Sequence, residues 1–230
     1  MIDSSRIRCD FSEPTREEQL FNVRMSTVRY SMEIRNEKGD TSYAGGTAFF
    51  VTPTKLLTAC HSVLKEGQRV IAQQPGAATV ETHDEDIFKK KTRIMRWELE
   101  VAKTFFGEKR ARWADLAILK TIAFEYTHWV ELDFDSKFDA GVQVDIVGYP
   151  GSHSDERLML LHSEINGDNV EKAMADAQTL LPTGQLVIST GQIIQDARNP
   201  TYRASTTAGM SGGPVVLNGK AVGTCHIVVA

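Results

Sequence analysis

The sequence predicts an all-β fold, a barrel or a sandwich, on three observations. Short segments rich in β-forming residues recur along the chain, from Ser26–Arg35 to Lys220–Val229. Clusters of turn-forming residues, such as residues 36–40, separate these segments. The length of 230 residues and the hydrophobic fraction of 41% suit one globular unit or two small, tightly packed halves.

The predicted elements follow in chain order. Residues 1–20 form a polar extension, in which Glu13–Glu18 is typical of the start of a short surface helix. The predicted strands are Ser26–Arg35, Thr47–Thr52, Lys55–Thr58, Arg69–Ala72, Arg93–Lys103 and Leu116–Lys120 and, beyond a linker around Phe124–Ala140, Val142–Gly148, Leu186–Ile194, Gly213–Leu217 and Lys220–Val229. We therefore divide the chain into an extension (1–20), a first β-barrel half (21–128) and a second β-barrel half (129–230).

One segment departs from the β pattern. Apolar residues recur at helical spacing through residues 168–181, and Pro182 follows directly. This pattern predicts a short helix inserted between strands. Two roles are open for it, packing against a barrel or forming a wall or lid of a cleft.

Charge and hydropathy exclude two classes of partner. The net charge is −4, and the densest basic run, residues 89–96, follows the acidic stretch Glu81–Asp86. Binding to nucleic acid or to an anionic membrane surface is therefore not predicted. The sequence also contains no apolar stretch near the roughly 20 residues that a membrane-spanning helix needs.

Cysteine usage and the N-terminal sequence indicate a reducing compartment. Cys9, Cys60 and Cys225 are the only cysteines, an odd and sparse set that is not a disulfide framework. Met1–Glu18 is too rich in charged residues to contain an apolar secretory core. We therefore expect an intracellular, cytoplasmic chain.

The adjacent pairs Cys60-His61 and Cys225-His226 raise the question of a metal site. Neighbouring residues of a strand point to opposite faces, so that neither pair aims both side chains at one ion easily. The spacing matches no zinc motif. We predict no metal and no cofactor.

The strongest chemical signal is the segment Gly209-Met210-Ser211-Gly212-Gly213-Pro214. A serine between glycines allows a tight bend, which lets the N–H groups of Gly209 and Ser211 converge. Two convergent donors would bind the oxyanion of a tetrahedral intermediate in acyl transfer. Glycine-rich turns are common, but this segment, followed by the β-forming Val215-Val216-Leu217, is much more specific than a glycine pair alone.

A serine hydroxyl needs a base to remove its proton, and the sequence offers a base with a partner. His61 follows the apolar segment Leu56–Cys60, and Asp115 precedes the apolar segment Leu116–Lys120. A carboxylate at the head of an apolar strand needs a hydrogen-bond donor, and a histidine Nδ1–H is the donor in a Ser-His-Asp triad. Taken alone, His61 and Asp115 are explained as structural residues. Together with Ser211 they predict a catalytic triad.

The order His61, Asp115, Ser211 is that of chymotrypsin and differs from that of subtilisins and α/β-hydrolases. The segments LLTACH, ADLAILK and GMSGGPVV resemble the His, Asp and Ser motifs of chymotrypsin-like serine peptidases. The resemblance spans roughly residues 45–226. It implies two perpendicular six-stranded β-barrels with the active site in the cleft between them.

Two further segments resemble the bacterial glutamyl endopeptidase branch of that family, namely VGYPGS at residues 147–152 and Ser205-Thr206-Thr207. Ser205 stands where trypsin-like enzymes carry the aspartate of the primary pocket, which disfavours Arg or Lys before the cut. Thr206 and His226 stand where glutamyl endopeptidases contact the substrate carboxylate. The resemblance therefore implies a substrate-binding pocket of Ser205, Thr206 and His226 that prefers Glu. For His226, a strand histidine without a ligand is an equal alternative.

The sequence also departs from the family pattern. Met210 replaces the aspartate that pairs with a newly cut N-terminus in trypsin-like enzymes, so that activation by this ion pair is not available. The trypsin disulfides are missing. The family continues through another strand and a C-terminal helix beyond the position of Ala230. This difference leaves open a truncated chain or a second barrel that lacks a part.

Two functions of different classes follow. The first is a serine endopeptidase that hydrolyses protein or peptide substrates through an acyl-enzyme. The second is a catalytically silent, protease-like binding or regulatory module. The complete set of His61, Asp115 and Ser211 favours the first, whereas Met210 and the short C-terminal end keep the second open.

Overall fold

The computed structural model describes residues 15–35, 41–63, 66–67, 69–74, 95–109, 112–136, 139–151, 170–195 and 201–226. Most of these residues lie in β-strands. The strands are β1 (Thr27–Arg35), β2 (Thr41–Thr52), β3 (Lys55–Thr58), β4 (Arg69–Gln74), β5 (Met95–Lys109), β6 (Arg112–Thr121), β7 (Gln143–Gly148), β8 (Val187–Gln195), β9 (Thr201–Arg203), β10 (Pro214–Leu217) and β11 (Lys220–Thr224). The helices are α1 (Arg16–Ser26) and α2 (Val170–Leu180), with a 3₁₀ turn at Cys60–Ser62.

Strands β1 to β6 form a closed barrel in the order β1-β2-β3-β6-β5-β4, and the pairing of β4 with β1 closes it. Side chains of a strand alternate between two faces, and in β1 Val28, Tyr30 and Met32 are buried while Arg29 between them is exposed. The core of the barrel also contains Phe50. The hydrophobic periodicity of the sequence thus places one face of β1 inside the barrel.

Strands β7 to β11 form a five-stranded sheet in the order β11-β10-β7-β8-β9. Its apolar face buries Ile146, Ile193, Met210 and Cys225 in one cluster. A further cluster joins this sheet to the barrel, because Phe49 of β2 packs with Val147 of β7 and with Val23 of α1. The two halves therefore meet along a shared apolar seam.

Helix α1 begins at a capping box. The Thr15 hydroxyl accepts a hydrogen bond from the Glu18 N–H at 3.3 Å, and the Glu18 carboxylate accepts one from the Thr15 N–H at 2.8 Å. The predicted helix start at Glu13–Glu18 coincides with this cap, although residues 13 and 14 lie outside the described ranges. Among the described residues, no helix is both long enough and apolar enough to cross a membrane.

The predicted all-β class is confirmed, and the helical insertion predicted near residues 168–181 is α2. The described strands of the second half form an open sheet, with β9 as a short strand that the sequence pattern did not predict. The barrel strands lie within 21–128 and those of the second sheet within 129–230, while α1 crosses the predicted boundary at residue 20. The turn predicted at residues 36–40 and the end of the chain beyond His226 lie outside the described residues.

Candidate active site

Ser211 lies in a tight turn that glycines make possible. The Met210 N–H donates to the Thr207 carbonyl at 3.1 Å, and the Gly213 N–H donates to the Met210 carbonyl at 3.0 Å. Gly209 has φ +90°, and a Cβ there would lie 2.5 Å from the Gly151 nitrogen. An L-residue would therefore be strained at this position and would also clash.

The turn is held against the first barrel by Thr47 of β2, which is fully buried. The Thr47 N–H donates to the Ser211 carbonyl at 3.0 Å, and the Thr47 hydroxyl donates to the Gly209 carbonyl at 2.7 Å. The same hydroxyl accepts from the Tyr149 N–H at 2.9 Å. One side chain thus connects the Ser211 turn to both halves of the fold.

Strand register brings His61 and Asp115 together. In the antiparallel pair of β3 and β6, Thr58 lies opposite Ala117, so the chain after Thr58 runs beside the chain before Ala117. The Asp115 carboxylate accepts two hydrogen bonds from His61, from the backbone N–H to Oδ1 at 2.8 Å and from the ring Nδ1 to Oδ2 at 2.6 Å. The contact fixes both the position and the tautomer of the His61 ring, leaving Nε2 as its proton-accepting nitrogen.

His226 contacts the same carboxylate. The backbone of residue 225 bonds to both glycines after Ser211, from the Cys225 N–H to the Gly213 carbonyl at 2.7 Å and from the Gly212 N–H to the Cys225 carbonyl at 2.8 Å. These two hydrogen bonds place His226 at the interface with the barrel, where its Nδ1 lies 3.0 Å from Asp115 Oδ2. Its Nε2 lies 2.9 Å from the Thr224 hydroxyl. Both ring nitrogens therefore have partners within the chain.

These contacts shift the proton affinities of the site. Burial alone would raise the pKa of Asp115, but the hydrogen bonds from the His61 ring and backbone, and then the charges of His61 and His226, outweigh it and lower this pKa. For His226, burial is the largest effect and lowers the pKa, against the opposing attraction of Asp115. Near neutral pH the arrangement therefore combines an ionised Asp115 with a neutral His226.

The predicted oxyanion donors, Gly209 and Ser211, have available N–H groups. Within the described residues, neither N–H donates to another group of the chain. The Ser211 side chain is buried beside the turn, and among the same residues no hydrogen bond joins its Oγ to the His61 ring. Such bonds are often long in a free enzyme and shorten when substrate binds.

Two of the predicted pocket residues, Ser205 and Thr206, lie just before Ser211 in the chain. Ser205 is exposed and Thr206 is half-buried. The neighbouring Thr207 is fully buried, and its hydroxyl has no hydrogen-bond partner in the described part of the chain. No hydrogen bond joins Thr206 to His226 among these residues, because the His226 ring faces Asp115 instead.

The atoms of His61, Asp115 and His226 that could bind a metal lie within 4.8 Å of one another. They are already in direct hydrogen-bond contact, at 2.6 and 3.0 Å, and a cation between them would have to displace both ring protons. The three side chains therefore form a hydrogen-bonded group, in which both rings donate to the Asp115 carboxylate.

Thr47 and the contact of His226 with Asp115 are the features that sequence reasoning missed. Thr47 stands in the segment Gly45-Gly46-Thr47, where two glycines allow close backbone approach, and a Cβ at Gly46 would lie 3.0 Å from the Ser211 carbonyl. That glycine pair was the available signal. For His226 no local signal existed, because its partner is supplied by the other half of the fold.

The closed barrel and the second sheet, with the glycine turn at their interface, define a fold of the chymotrypsin-like double-barrel type. The sequence matches the trypsin-like peptidase domain family over residues 46–223, and the chain belongs to this family. It is accordingly a serine endopeptidase, and proteins are its substrates.

Similar solved structures show the same fold. The inactive form of the Rv3671c protease has a TM-score of 0.53 and 17% sequence identity, covering 90% of this chain and 78% of that chain. The active form from M. tuberculosis has a TM-score of 0.53 and 16% identity, covering 93% and 76%. No curated protein matches the sequence significantly. These comparisons support the broad class and give no support to the glutamyl endopeptidase branch.

Proposed function

We propose that this peptidase cleaves peptide bonds with Ser211 as nucleophile, His61 as general base and Asp115 as the carboxylate that orients the base. The observation that carries the proposal is the pair of hydrogen bonds that His61 donates to the Asp115 carboxylate beside the Ser211 turn. A carboxylate bound in this way holds the imidazole in the tautomer whose Nε2 can accept the serine proton.

The proposed reaction has two halves. Ser211 Oγ attacks the scissile carbonyl while His61 Nε2 takes its proton, and the N–H groups of Gly209 and Ser211 bind the oxyanion that forms. His61 then protonates the leaving amine, which gives an acyl-enzyme and a free amino end. Water, deprotonated by His61, then attacks the acyl carbonyl. The ester bond to Ser211 Oγ breaks, Oγ takes the proton back from His61, and the new carboxyl end is released. Asp115 stays ionised and stabilises the imidazolium in both halves.

The direct test uses a serine-reactive fluorophosphonate probe. Wild-type protein should be labelled on Ser211, and Ser211→Ala should abolish labelling and lower kcat by on the order of 10⁶. Ser189→Ala is a matched control, since Ser189 is also buried but lies on β8. Cleavage by Ser211→Ala at the wild-type rate, or wild-type protein that neither labels nor cleaves, would refute the assignment.

A preference for Glu before the cut is the finer part of the proposal. It is supported by the hydroxyls of Ser205 and Thr206, which can donate to a carboxylate. Position 205 also carries a serine in place of the acidic residue that would attract Arg or Lys. His226 adds less support, since both of its ring nitrogens are already engaged.

Profiling with a peptide library tests this preference. Thr206→Val should weaken cleavage after Glu much more than cleavage after Leu, because a site that hydrogen-bonds its substrate discriminates strongly once the bond is lost. A wild-type preference for Arg, Lys or large apolar residues would contradict the Glu assignment, while the roles of His61, Asp115 and Ser211 would be unaffected.

A further inference from the structure

Two imidazoles share one oxygen of the Asp115 carboxylate. Oδ2 lies 2.6 Å from Nδ1 of His61 and 3.0 Å from Nδ1 of His226. The other oxygen, Oδ1, accepts the His61 backbone N–H. Three donors therefore surround a carboxylate that serves one general base, and His226 is the donor that the proposed reaction does not use.

Thr224 selects one tautomer of His226. A neutral imidazole has one N–H donor and one acceptor nitrogen. When Nδ1 donates to Asp115, Nε2 is the acceptor and the Thr224 hydroxyl can donate to it across 2.9 Å. Burial favours this neutral form, since it lowers the pKa of His226. Neutral His226 is thus satisfied at both nitrogens without any ligand.

We propose that His226 is a positioning residue for peptide hydrolysis, whose Nδ1–H orients the Asp115 carboxylate and weakens its pull on the His61 proton. The proposal rests on the function assigned above to His61 and Asp115. It gives His226 a role inside the catalytic network instead of in the pocket for the substrate side chain.

The physical consequence has a definite sign. A hydrogen bond to Oδ2 offsets part of the negative charge that stabilises protonated His61, so removing it lets His61 keep its proton to higher pH. The acid limb of the kcat/KM profile reports the free base and should move to higher pH with it. Protonation of His226 in acid adds a second positive charge beside His61 and acts in the same direction as the hydrogen bond.

Within the described part of the chain, the tyrosines and cysteines beside the network stay neutral across this range. Tyr30 and Cys60 lie near Asp115, and burial raises the pKa of Tyr30 to about 12 and that of Cys60 above its usual value. Tyr202 donates to Cys225 Sγ next to His226, and burial raises the pKa of Cys225 to about 11 and that of Tyr202 still further. His226 is therefore the group to vary.

The experiment compares His226→Leu with His226→Asn. Leu removes the donor and keeps the bulk, whereas the Asn amide nitrogen can stand near the position of Nδ1. For His226→Leu we expect kcat to fall about tenfold with little change in KM, since one hydrogen bond to a charged group is lost. The acid limb should move to higher pH. His226→Asn should restore most of kcat and the position of the limb.

A second variant and a second measurement guard against a merely structural effect. Thr224→Val leaves His226 in place but removes the hydroxyl that selects its tautomer. It should move the acid limb of the kcat/KM profile to higher pH, by less than His226→Leu does. NMR titration of the His61 ring reports the coupling without turnover, so it distinguishes failure of this proposal from failure of the proposed function. An unshifted His61 titration in His226→Leu, or no rescue by Asn, would overturn the proposal. A changed Glu-to-Leu preference with an unshifted limb would overturn it too, and would make His226 a pocket residue.

Discussion

Gly212 packs directly against the Thr58 side chain, so the turn that contains Ser211 touches the strand that leads to His61. Gly212 has φ +86°, and a Cβ there would also lie 2.6 Å from the Ala59 nitrogen. The close approach of the Ser211 turn to the chain just before His61 is therefore one that only glycine permits.

Gly212→Ala should consequently damage both stability and catalysis. We expect the free energy of unfolding to fall by more than the roughly 1–2 kcal/mol that positive φ alone costs an L-residue, since the new methyl also displaces the turn. Urea unfolding and kcat measure the two effects. Gly67→Ala is the matched control, because Gly67 has φ +79° and a methyl group added there would meet nothing within 4 Å. Equal losses in the two variants would contradict the contact.

Thr47→Val should destabilise the interface of the two halves. The substitution keeps the shape of the side chain but leaves the Gly209 carbonyl and the Tyr149 N–H without their partner. Loss of two buried hydrogen bonds predicts a decrease of about 2–4 kcal/mol in the free energy of unfolding. Thr183→Val is the control at an exposed hydroxyl, and it should change the free energy of unfolding by less than about 0.5 kcal/mol. Similar values for both variants would argue against a bridging role for Thr47.

Stability should fall as the pH drops below the ordinary histidine value of 6.5. Burial lowers the pKa of His226 in the folded state, so in this range the unfolded chain binds more protons than the folded one. Asp115, whose pKa is lowered from 3.8, adds a further loss as the pH falls through its folded value. Between pH 7.5 and pH 5, the free energy of unfolding measured with denaturant should decline more steeply in wild type than in His226→Asn. Parallel curves would contradict the shift at His226.

Cys60 and Cys225 should be unreactive in the folded protein. Both thiols are free and buried, and burial raises the pKa of each, which disfavours the reactive thiolate. In a Cys9→Ser background, a thiol reagent should modify neither residue until denaturant is added.

Dithiothreitol and a chelator should leave the thermal midpoint and the activity unchanged. A large effect of either reagent would show that folding or catalysis depends on a disulfide or a metal.

The three motifs at His61, Asp115 and Ser211 could be found in the sequence because their constraints are local. Each lies at the end or start of an apolar strand, or within a glycine turn, and these patterns occupy a few consecutive residues. The strand alternation that buries Tyr30 was equally local. The all-β class and the insertion at α2 followed from the same kind of pattern.

The role of His226 could not be found in that way. Its contact with Asp115 depends on the hydrogen bonds that tie Cys225 to Gly212 and Gly213, and on the seam that brings the second sheet to the barrel. Thr47 likewise acquires its importance only when Gly209 and Tyr149 are placed beside it. Long-range register decides such contacts, and a single sequence carries no direct record of it.

The burial of Met210 ties the turn around Ser211 to the folding of the second sheet. Met210 is fully buried, and its side chain lies against Gly148 in the apolar cluster of the second sheet. The Ser211 turn is therefore anchored by the same apolar packing that folds the sheet, so that a substitution that loosens this cluster should loosen the turn as well.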